Sequence, residues 1–145
     1  MKAICLSDIH GNDVKYRKLC GYIKQTLPDA VFIAGDVLPN YYVTEPLEFI
    51  DDTLKPLLSD LKEEMKQAYP DIFLITGNDD AAVSCEHLRY LELKGLIHFA
   101  NKMVMDQKGY TVLGYPYVPP TPFLLKDWEK YDVSRYLPRD TVSPE

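Results

Sequence analysis

The chain has 145 residues, 46% of them hydrophobic and 26% charged, an ordinary balance for one globular domain. Its net charge of −6 offers no long-range attraction for nucleic acid, and no stretch reaches the roughly 18 apolar residues of a membrane span. The N-terminus turns polar at Ser7 and Asp8, unlike a secretory leader. Cys5, Cys20 and Cys85 are odd in number and show no CxxC spacing, so reduced thiols in a cytoplasmic protein are expected.

In chain order, the short apolar run AICL (3–6) predicts a strand. Tyr16, Leu19, Cys20, Ile23 and Leu27 follow at helical spacing, with Asn12 or Asp13 as the N-cap and Pro28 as the stop. AVFIAG (30–35) predicts a buried strand. Leu47, Ile50, Leu54, Leu57, Leu61, Met65 and Ala68 form one helical stripe, and Pro56 inside it should kink or split the helix. DIFLITG (71–77) predicts a third buried strand, and a helix from about Ala81 to Leu93 ends at Gly95. Strands alternating with helices imply parallel pairing with right-handed crossovers, in a sheet covered on both faces. Residues 96–115 then read as short strands around a turn at Lys108-Gly109, a hairpin joining a sheet. PYVPPTPF carries four prolines in eight residues and must be an extended loop. LLKDWEKYD adds at most a helical turn, so a single domain over 1–145 with an irregular tail from about 116 is expected.

Each predicted strand ends in polar residues: Ser7-Asp8-Ile9-His10, Gly35-Asp36, and Gly77-Asn78-Asp79-Asp80. In an open α/β sheet, ligands bind at the carboxyl ends of the strands, and crossovers of one hand place those ends on one edge. Asp8, His10, Asp36 and Asn78 are therefore expected to converge. Asp8 and His10 point the same way if the backbone stays extended. A carboxylate with an imidazole suits Mn, Fe, Zn or Ni better than Ca or Mg. Asp36 has two oxygens and can bridge two ions, and Asn78 offers an amide oxygen. Glycines at 35 and 77 allow a tight turn and close approach by a ligand. Taken singly, DxH, GD and GNDD are most often turns or caps; their joint occurrence at three strand ends points to a metal site.

These motifs resemble those of the calcineurin-like metallophosphoesterases, which show D-x-H, then G-D, then G-N-H-D/E, each after a strand. SDIHGN, AGD and TGNDD stand in the matching places. GYPYVPPTPFLLKDWEKYD is similar to a stretch in a subgroup of small prokaryotic phosphoesterases. The resemblance implies an α/β fold, the αββα four-layer sandwich. It also implies one or two divalent ions that activate water against a phosphate ester. Asp8, His10 and Asp36 would hold the first ion, and Asp36 and Asn78 the second. Asn12 and Asn78 would bind substrate.

Two departures qualify the resemblance. The family usually places histidine where this chain has Asp79, the expected catalytic residue, and an anion there disfavours monoesters relative to diesters. The family also supplies a mid-domain histidine and a late G-H-x-H. After Asn78 this chain has only His87, in a helix, and His98, in an apolar strand, both read as packing or surface. The absent ligands are expected beyond residue 145, so the chain reads as the N-terminal portion of a phosphoesterase, C-terminally truncated. Strand edges left uncovered would favour a homo-oligomer. The expected function is metal-dependent hydrolysis of phosphate esters. The alternative is a catalytically inactive fold serving as a metal- or phosphate-binding assembly module. A third reading makes the acidic cluster a solvated loop face. Tyr41, Tyr42 and Tyr117 are candidates to line a pocket.

Overall fold

The computed structural model describes residues 1–40 and 45–131; Tyr41 and Tyr42 lie outside the described residues. Strand β1 (Ala3–Leu6), helix α1 (Asp13–Thr26) and strand β2 (Ala30–Ala34) open the chain. Then come the short helix α2 (Pro46–Phe49), helix α3 (Lys55–Met65), strand β3 (Asp71–Ile75) and helix α4 (Cys85–Leu93). Strands β4 (His98–Phe99), β5 (Val104–Gln107) and β6 (Tyr110–Leu113) complete the regular elements.

β1 to β4 form one parallel sheet in sequential order, with Leu6 opposite Ile33 and Ile33 opposite Leu74. Sequential order with crossovers of one hand puts the connecting helices on one face. That face carries Val31, Ile33, Ile72 and Leu74, which share a core with Tyr16, Cys20 and Ile23 of α1, Leu58 and Leu61 of α3, and Leu88 and Leu91 of α4. Alternation sends Phe32 and Phe73 to the other face, where their rings stack at 5.1 Å. β5 and β6 pair antiparallel around Lys108-Gly109 and reach toward this second face: Gln107, Lys108, Tyr110 and Val112 line a cavity with Phe32 and Phe73. The order is thus helices, parallel sheet, hairpin, the α/β layering of the expected sandwich. The hairpin does not join the first sheet; it is a separate two-stranded sheet, and the strand that extends the first sheet is the short β4. The second face is accordingly covered by the hairpin, not by helices.

Pro56 acts as expected on the long helical stripe. A wide π-helical turn at Ile50–Leu54, closed by Lys55 N–H on the Ile50 carbonyl, separates α2 from α3. Pro56 lacks a donor and its ring would clash with the carbonyl four residues back; the wider turn accommodates both, and Pro56 falls in the first turn of α3. The extra residue shifts the buried stripe, so Leu58 is buried where Leu57 was expected and Leu57 is only partly buried. Asn12 is the N-cap of α1, its Oδ1 accepting from Lys15 N–H at 3.0 Å. The segment after β6 is irregular through Tyr131, apart from one bridge between Val118 and Glu129 and turns at 127–128. No helix among the described residues is long and apolar enough to cross a membrane. All three cysteines are unpaired.

Candidate metal centre

The three loops that leave β1, β2 and β3 meet on one edge of the sheet. One ligand atom each from Asp8, His10 and Asp36 lies within 4.8 Å of the other two. Ile9, between the first two, is 1% exposed, so it pins the loop to the core while its polar neighbours stay outside. The backbone there is not extended, as the alternation argument required. Asp8 and His10 have φ of 57° and 51°, and Asp36 follows Gly35 (φ 91°) with φ of 49°. These left-handed residues curl the loops around a common centre, and Asp and His tolerate that region better than most side chains.

The loops are held by a continuation of the parallel pairing. Asp8 N–H donates to the Gly35 carbonyl, His10 N–H to the Asp36 carbonyl at 2.8 Å, and Gly11 N–H to the Val37 carbonyl. Gly35 and Gly77 admit neighbouring chain, which corrects the expectation that they make room for a ligand. A Cβ on Gly77 would lie 2.4 Å from the Asp36 nitrogen, and one on Gly35 would lie 2.9 Å from the Gly77 Cα. Small residues are needed here so that the β2 and β3 loops can touch.

Asp80, read at first as part of a turn and helix cap, is the structural hub. It is fully buried, and its carboxylate accepts from Val37, Leu38 and Gly77 N–H at 2.8–3.1 Å. Burial pushes its carboxyl up to about 6; the three backbone donors pull the other way, and Asp36 adds to the rise. Tyr16 of α1 donates from its buried hydroxyl to the Val37 carbonyl at 2.9 Å, and burial raises its phenol well above the ordinary tyrosine value. The sequence signal for Asp80 is its place at the D/E position of G-N-H-D/E, to which no role was assigned, and Tyr16 reads simply as one more apolar-face residue.

The remaining candidates take up different positions. Asp79 donates its backbone N–H to Asp36 Oδ1 at 2.9 Å, and its carboxylate lies 3.4 Å from His10 Nδ1. Asn78 occupies the same turn, half-buried. Asn12 spends its Oδ1 on the α1 cap. Ser7 donates its hydroxyl to Asp8 Oδ2, and Lys15 donates to the Asp8 carbonyl at 2.9 Å; neither was singled out from the sequence. His87 pairs with Asp51 at 3.2 Å, and His98 stacks on Phe73 with its Nε2 3.3 Å from Asp71, so both histidines serve packing and surface contacts as expected.

Two carboxylates and one imidazole gathered within ligand reach form a donor set suited to a divalent transition metal. The family model for calcineurin-like phosphoesterases matches residues 1–141, and the chain belongs to that family. The family's chemistry is metal-dependent phosphoester hydrolysis, and its metal requirement fits the Asp-His-Asp cluster. No curated protein matches the sequence.

Proposed function

We propose that this protein hydrolyses phosphate diesters with one or two divalent ions of the Mn, Fe, Zn or Ni class. The observation that carries the reading is the convergence of Asp8, His10 and Asp36 within 4.8 Å. Bound metal supplies Lewis acidity and a water acidified toward neutral pH. The chain's own residues do the rest. Asp8, His10 and Asp36 would hold the first ion, and Asp36 with Asn78 would hold a second. The amides of Asn12 and Asn78 donate to phosphate oxygens. Asp79, with its carboxylate 3.4 Å from His10 Nδ1, is the catalytic carboxyl, placed as an anion to accept a proton from the attacking water. A dianionic monoester meets repulsion from that carboxylate; a monoanionic diester meets less. Turnover of bis(4-nitrophenyl) phosphate with added Mn is expected, and Asp36→Asn should remove it. No turnover at any metal concentration sinks catalysis by this chain.

One observation favours a second reading. Asp79 puts a third carboxylate beside the cluster where the family has an imidazole, which suits ion holding better than phosphate handling. That protein would be an inactive metal-binding module, holding at most one ion per chain and losing it to a chelator. Two tightly held ions, counted by metal analysis after gel filtration, exclude it. Exposed Val104, Tyr110 and Leu113 on the hairpin support a homo-oligomer, to be read by sedimentation, and the three unpaired thiols support a cytoplasmic setting.

A further inference from the structure

A cleft of about 500 Å³ opens beside the metal cluster, lined by Asn40, Asp79, Ala81, Val83 and Phe123 to Leu125. Asp79 joins the two: it lines the cleft, and its carboxylate lies 3.4 Å from His10 of the cluster. Apart from Asn40, the rest of the wall is apolar. Val83, Phe123 and Leu124 are 62%, 57% and 84% exposed, and together they make a hydrophobic surface at the rim of a polar centre. Single exposed apolar residues are ordinary, but a contiguous set rimmed by polar groups marks a binding surface.

The wall is tied to the site. Asp127 accepts from Ala82 N–H at 2.7 Å, and the buried Trp128 donates its indole N–H to the Asp80 carbonyl. Lys126 bridges Glu129 and the Thr121 carbonyl, and Phe123 N–H donates to Thr121 Oγ1 at 3.2 Å. The loop that carries Phe123 and Leu124 is therefore fastened to the turn that carries Asn78 and Asp79, and the cleft stands preformed next to the cluster.

We propose that this cleft receives the organic group of the phosphate ester, and that the group is apolar, an aryl or branched alkyl alcohol. The proposal rests on the phosphoesterase reading above. A phosphate ester held through an ion at Asp8, His10 and Asp36 would lie beside Asp79, and its organic substituent would reach Val83, Phe123 and Leu124 in the adjoining cleft. Among the described residues lining the cleft there is no lysine or arginine, and the one charged group is Asp79. A substituent bearing further phosphates meets repulsion there; a neutral ring gains burial.

The test compares binding of the monomethyl esters of methylphosphonate and 1-naphthylmethylphosphonate, monoanions like a phosphate diester, to the Mn-loaded full chain by calorimetry, and of 1-naphthol to the chain without added metal. The naphthyl ligand is expected to bind roughly tenfold tighter than the methyl one, from the burial of a few apolar carbons. Leu124→Asp should erase that advantage and naphthol binding while leaving methylphosphonate binding unchanged. Phe123→Ser should do the same to a smaller degree. Equal affinity for the two phosphonates overturns the proposal. So does a Leu124→Asp chain that keeps its naphthyl preference but changes sedimentation coefficient, which makes the patch a contact between copies. Asp36→Asn separates this from the parent reading. If it leaves phosphonate binding intact, the metal assignment fails; if it abolishes phosphonate binding while naphthol still binds, both stand.

Discussion

The two ends of the parallel sheet are both acidic, and they handle that charge in opposite ways. At the amino ends, Asp71 faces Lys108 at 2.8 Å, His98 at 3.3 Å and Gln107 at 3.0 Å. Burial raises its carboxyl, but these three partners outweigh burial and leave it below the usual aspartate value. At the carboxyl ends, Asp8 and Asp36 gather around His10 and Asp79. One cluster is neutralised by the protein and ties the hairpin to the sheet. The other has carboxylates and an imidazole for neighbours, the donor set of the proposed metal site. The contrast lies in the partners: cations and an amide make Asp71 a structural tie, whereas the proposed metal ligands meet other carboxylates on left-handed loops.

The largest effects should come from breaking the metal end. Asp80→Ala leaves the Val37, Leu38 and Gly77 N–H groups without their acceptor, and a loss of about 3 kcal/mol or more is expected in urea unfolding. Gly77→Ala, with its Cβ 2.4 Å from a backbone nitrogen, should be of similar severity. Next in size is the response to metal. The wild-type chain should gain about 2.7 kcal/mol when Mn stands at 100 times its dissociation constant, and Asp36→Asn should gain none. Equal thermal shifts in the two chains would dissolve the contrast between the ends.

A smaller effect is expected at the opposite end. Asp71→Asn should lose about 1 kcal/mol, because solvent screens a partly exposed pair, with faster amide exchange in Val104–Leu113 and an unchanged metal response. Its pH dependence has a definite sign. A carboxyl lowered by folding stabilises above its unfolded value near 3.8 and loses that contribution as pH falls through the lower native value. The difference between wild type and Asp71→Asn should therefore hold from neutral pH to about 5 and vanish in stronger acid. The smallest effect belongs to His87→Ala, on the surface against Asp51, within about 0.5 kcal/mol and without influence on metal binding.

The sequence carried the strand ends well because each motif follows an apolar run whose length and boundaries mark a buried strand. Gly35-Asp36 and Gly77-Asn78 were legible for that reason. The conformation at Asp8, His10 and Asp36 was not, since side-chain type says only that left-handed backbone is tolerated. The role of Asp80 was hidden because two of the three amides it serves, those of Val37 and Leu38, lie on a loop some forty residues away in sequence. Leu58 replaced Leu57 in the core through the π-helical turn, a register change that periodicity cannot see until the extra residue is placed. His98 was placed in a strand, but two paired residues are too short a run to reveal which sheet that strand would join.

The left-handed conformations at positions 8, 10 and 36 carry a consequence for how the protein would drift under selection for robustness alone. Each costs up to about 1 kcal/mol relative to glycine, a residue indifferent to that region. A library screened purely for resistance to heat, in the absence of divalent ions, should enrich glycine at those three codons. The same library screened in their presence should keep aspartate, histidine and aspartate.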